Sequence, residues 1–182
     1  MNWANIFLIA VGLSMDAFAM AITVGLSIPK AGIKEALIVG LYFGLFQAAM
    51  PVVGYYAARQ FADLITQYDH WVVFGLLVFI GGKMIWGSIN KEERPNAQPY
   101  SLGFANMLTL ALATSIDAMA VGISFAFLQT SIVPAGIVIG ITTFAFSLVG
   151  VKIGCIFGTK CKTQATLAGG VILVLMGIRM LL

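Results

Sequence analysis

Leu13-Ser14-Met15-Asp16-Ala17-Phe18-Ala19 sets a carboxylate in the middle of an apolar run. The arrangement returns 101 residues later in Ala113-Thr114-Ser115-Ile116-Asp117-Ala118-Met119-Ala120. An aspartate costs roughly 2.5–3.5 kcal/mol at the centre of a membrane helix on insertion scales. A chain that carries one in each half, in matching surroundings, is expected to use the two together. Holding a cation halfway across a bilayer is the use that fits.

The rest of the chain supplies the apolar setting. Of 182 residues, 60% are hydrophobic and 9% charged, and the mean hydropathy is +1.01. Soluble domains carry about 25% charged residues. So apolar a chain has no solvated surface to spare and no room for a separate soluble domain. The first 25 residues lack a basic stretch before Trp3 and a processing site after the apolar run, so they read as a span and not as a cleaved signal.

Six apolar segments can be drawn, over 3–25, 33–57, 70–89, 103–127, 134–157 and 164–182. None alternates polar and apolar as a barrel strand would. The expected fold is therefore all-α, a polytopic membrane protein of six transmembrane helices. The loop with Lys91, Glu92, Glu93, Arg94, Pro95 and Pro99 divides it. Residues 1–90 form one three-helix repeat, 91–102 the cytoplasmic connecting loop, and 103–182 a second three-helix repeat.

Orientation follows from the basic residues. With the N-terminus outside, Lys30, Lys34, Lys83, Lys91, Arg94, Lys152, Lys160 and Lys162 lie toward the cytoplasm, and only Arg59 and Arg179 lie toward the outside. Eight against two is a positive-inside bias. Beyond the aspartates, Ser14 matches Ser115, and Gly40 and Gly54 match Gly140 and Gly154 at a spacing of 100. Three helices per half is an odd number, so the second half must enter the membrane in the opposite sense. This is the inverted-repeat plan of many secondary transporters, which hold substrate near the midplane.

Asp16 and Asp117 fall near the bilayer centre at 1.5 Å per residue. Helices one and four, related by the pseudo-twofold, are expected to bring them close together. Two carboxylates there match a divalent cation, and without one such a pair would share a proton. That points to exchange of metal for protons. Ser14, Thr114, Ser115, Gln47 and Asn106 are candidate oxygen ligands, hard donors suited to Mn²⁺, Mg²⁺ or Ca²⁺. The single His70 lies in a loop, and Cys155 and Cys161 at a helix end read as free thiols, so softer metals are poorly served.

Lys83 and Arg179 have two readings: snorkelling to opposite surfaces, or turning inward to pair with acidic groups. Their places near span ends favour snorkelling. Pro51 is expected to kink the second span and free a carbonyl. Glycine pairs such as Gly40 with Gly44 and Gly136 with Gly140 allow close helix packing. Gly81-Gly82-Lys83 lacks the spacing of a phosphate-binding loop, so the chain is read as no enzyme and no ATP-driven pump. Scattered basic residues make nucleic acid an improbable partner.

At the two Asp-Ala-(Phe/Met)-Ala motifs the whole chain resembles the bacterial manganese efflux pump family, a branch of a wider group that includes lysine exporters. The resemblance implies Mn²⁺ export from the cytoplasm across the bacterial inner membrane, protecting the cell from excess manganese. It also implies that Asp16 and Asp117 are the acidic residues that matter. Span two of the family often carries a polar or acidic side chain, and here Gln47 stands there. The expected activity is thus secondary-active, proton-coupled export, with Mn²⁺ as substrate, no cofactor, H⁺ and membrane lipid as partners, and a homo-oligomer left open. An exporter of an amino acid or another small cationic solute is the alternative. A membrane scaffold and a channel are more distant ones.

Overall fold

A membrane interior offers no water to hydrogen-bond, so a chain this apolar must satisfy its backbone within helices. The computed structural model describes residues 3–28, 32–60, 69–89, 102–157, and 167, 171, 172, 174, 175 and 178. Five helices stand in it: α1 (Trp3–Ser27), α2 (Ile33–Arg59), α3 (Asp69–Ile89), α4 (Phe104–Phe127) and α5 (Ile132–Phe157). At 1.5 Å per residue they are about 31–41 Å long, enough for a 30 Å hydrocarbon core. Four of them, α1, α2, α4 and α5, are long and apolar enough to cross a membrane.

Each predicted span from 3 to 157 therefore has its helix, with ends shifted by two residues or fewer. The sixth, 164–182, lies mostly outside the described residues, though those described within it are helical. Residues 91–101 of the connecting loop and the side chain of Arg179 also lie outside them. The chain is an all-α, multi-pass membrane protein.

Glycine decides the packing. α2 and α5 cross at the centre, where a Cβ placed on either Gly44 or Gly140 would sit 3.0 Å from the other's carbonyl oxygen. α1 lies along α5, and α4 along α2. In the first pair, a Cβ at Gly25 or Gly154 would strike the carbonyl of Val151 or Ile22; in the second, one at Gly54 or Gly122 would strike that of Met119 or Pro51. Lipid tails are as apolar as side chains, so close backbone approach of this kind supplies the van der Waals contact that holds membrane helices together. Phe18 against Phe146 and Tyr42 against Phe104, both edge-on, close the same two pairs.

α1 and α4 touch each other only slightly, because each is bound along its length to α5 or α2. Among the described helices, α3 packs chiefly on α4. Its Trp71, Phe79 and Trp86 are exposed, and Gly75 and Gly82 face open space. At the start of α2, Glu35 reaches back to accept a hydrogen bond from the Gly32 N–H at 2.7 Å, which makes it a helix cap.

Candidate functional site

The buried apolar residues separate into two clusters at different heights. One gathers the N-terminal part of α1 up to Leu13, Ala58 of α2, α4 from Ala118 onward, and α5 up to Ile139. The other gathers α1 from Ala17, α2 from Ala36 to Phe43, Met107 and Ala111 of α4, and Val151 of α5. Between them, on all four helices, come the polar residues: Ser14 and Asp16, then Gln47, then Thr114, Ser115 and Asp117, then Thr143 and Ser147. The result is a polar layer between two dry ones, at mid-length of the bundle.

The hydroxyl groups in this layer are largely committed as donors. Ser14 donates to the Ala10 carbonyl at 2.6 Å, so at its 2.9 Å contact with Thr143 the Thr143 hydroxyl is the donor. Thr114 donates to the carbonyls of Leu110 and Ala111, and Ser115 to that of Leu112. Each oxygen keeps lone pairs for a further partner.

Gln47 is different. It is 1% exposed, and neither its Oε1 nor its Nε2 meets a hydrogen-bond partner; the buried Ser147 hydroxyl is likewise unpartnered. Leaving such groups unsatisfied costs about 1–3 kcal/mol each. Pro51 adds to this, because it has no N–H to offer the Gln47 carbonyl four residues earlier. Position 47 thus offers oxygen from both side chain and backbone.

Asp16 and Asp117 are both half-buried. Lys83 Nζ lies 3.6 Å from Asp117 Oδ1. The expected snorkelling of Lys83 is therefore corrected: α3 packs beside α4 so that the lysine stem reaches the carboxylate, and a half-buried carboxylate is stabilised by an ammonium as it is not by lipid. Asn106 stands apart. It is exposed in the first turn of α4, roughly 12 Å along the helix axis from Thr114.

A family model described as "Putative manganese efflux pump" matches residues 30–181. The chain belongs to the MntP manganese efflux pump family. A relative of that name in Desulfitobacterium hafniense (strain Y51) is 55% identical over 98% of this chain and 93% of its own length. Another in Acetivibrio thermocellus is 49% identical over 100% and 91%, and one in Mannheimia succiniciproducens 46% over 100% and 97%. No solved structure matches. MntP proteins are transporters and not enzymes.

Reading the sequence missed two members of the layer in this MntP chain, Thr143 and Ser147, and ranked the pairing of Lys83 with an acid second. A signal for Ser147 was present. It stands 100 residues after Gln47, the same spacing that relates Gly40 to Gly140 and Gly54 to Gly154. Both members of this related pair carry buried, unpartnered polar atoms.

Proposed function

We propose that the chain exports Mn²⁺ from the cytoplasm across the bacterial inner membrane in exchange for protons, with Asp16 and Asp117 as the charged ligands. Ser14, Thr114, Ser115 and Gln47 supply neutral oxygens around them; Asn106 belongs to the approach. The single observation that carries this reading is the polar layer between two apolar clusters, with the Gln47 amide left without a partner inside it. A cation that sheds its water there would meet those oxygens.

The donor set also suits transit over storage. Among the described residues no three His, Cys, Asp or Glu side chains gather. Two carboxylates with hydroxyls and an amide balance a divalent charge without trapping it, and protons can replace the metal as it leaves. The inverted arrangement of two three-helix halves is supported by the paired glycines: Gly54 and Gly154, 100 residues apart, each abut a carbonyl, one of α4 and the other of α1. Six spans place the N-terminus outside by the positive-inside count.

The test is flux into and out of liposomes that hold the purified protein, with and without a pH gradient. Asp16→Asn and Asp117→Asn should each abolish Mn²⁺ movement, and an imposed proton gradient should drive it. Full Mn²⁺ flux in both variants would end this reading. Lysine flux lost in the same variants with no change for Mn²⁺ would favour a solute exporter.

A further inference from the structure

Asp117 is not a bare acid: the Lys83 ammonium, on a different helix, faces it. The separation of 3.6 Å exceeds the 2.7–2.9 Å of a charge-assisted hydrogen bond. The pair is held by charge and not locked by geometry. The Lys83 side chain is 65% exposed, against 15% for Asp117, so the ammonium approaches from the open side while the carboxylate belongs to the protein. Its stem is a flexible chain of four carbons. Gly82 beside it has nothing within 4 Å of a Cβ, and α3 packs chiefly on α4. Nothing described around Lys83 obliges it to stay.

A divalent ion bound at Asp117 and the ammonium at the same carboxylate would repel each other at a few ångströms, with little water to screen them. Their occupancies therefore oppose each other, and by linkage each weakens the other by the same factor. We propose that Lys83 is the resident counter-ion of Asp117, displaced as a divalent cation binds and returning as it leaves. This rests on the reading of Asp117 as a ligand. Lys83 itself is no ligand; it sets how tightly the ion is held and how readily it is let go. Two matched carboxylates without such a competitor would bind the ion more tightly and release it more slowly.

The test combines Mn²⁺ binding by calorimetry with flux in proteoliposomes. Lys83→Gln and Lys83→Met should each tighten Mn²⁺ binding about tenfold and lower the maximal flux, a split that simple loss of structure would not give. Lys83→Arg should bind as the parent protein does. In the unaltered protein, saturating Mn²⁺ should raise acylation of Lys83 by an amine reagent at least twofold, read by mass spectrometry. Unchanged or weaker Mn²⁺ binding in the neutral variants, or Lys83 acylation unmoved or lowered by Mn²⁺, would overturn the proposal. Asp117→Asn separates the two ideas. If it binds Mn²⁺ normally, the ligand assignment fails; if it loses binding while the neutral Lys83 variants bind like the parent, only the counter-ion role fails.

Discussion

The α2–α5 crossing and the α3–α4 flank both border the polar layer, yet they are built on opposite terms. At the crossing, glycine faces glycine and backbone meets backbone, so an added side chain would crowd the facing helix. At the flank, α3 leaves its glycines open, exposes its aromatic side chains and sends one long cation inward. The first region fixes where the oxygens stand. The second supplies a charge on a flexible stem. On the proposed reading, the difference teaches that a site can be rigid in its ligands and loose in its competitor, provided they ride on different helices.

The largest effect that could break this contrast lies in the glycines. Gly140→Val should prevent the α2–α5 pair from closing, because the new side chain would meet Ala48 and the Gly44 carbonyl; the protein should then fail to elute as a folded species in detergent. Gly82→Ala on α3 should elute normally and melt at the same temperature or slightly higher, since alanine gains up to about 1 kcal/mol over glycine in a helix. Equal damage from the two would erase the distinction.

A smaller effect sharpens it. Gln47→Leu replaces an unpartnered buried amide with an apolar group, and should raise stability against denaturant by about 1–3 kcal/mol while lowering Mn²⁺ flux. A stability loss would mean that the amide is satisfied in the folded protein. Smallest is Ser14→Ala, which removes the acceptor of the Thr143 hydrogen bond between α1 and α5. Such bonds average about 0.6 kcal/mol in membrane bundles, so the melting temperature should fall only slightly.

The helices and the two aspartates could be read from the residues alone, because apolar length and a misplaced charge are both local properties. Partner choice could not. In lipid the outside of a helix is as apolar as its inside, so α5 carries almost no polar face to say which side meets α1. Thr143 and Ser147 were lost in that uniformity until α5 was seen beside α1 and α2. Lys83 failed for another reason. Snorkelling and pairing ask for the same residue near a helix end, and only the rotation of α3 against α4 tells them apart. Asn106 was chosen by residue type, and its depth in the helix removes it from the layer.

The two dry clusters have an electrical consequence. The membrane voltage drops most steeply across the most apolar packing, and less across a layer of polar groups that can reorient. On the proposed reading, moving a doubly charged ion outward against 100 mV, negative inside, takes about 4.6 kcal/mol in total, and the clusters would divide that work into two steps. The slab nearer the α1 N-terminus includes Phe125 and Phe127, and the other includes Phe43 among alanines and valines. Trimming the rings on one side, at Phe125 and Phe127, would therefore change the voltage dependence of only one of the two steps.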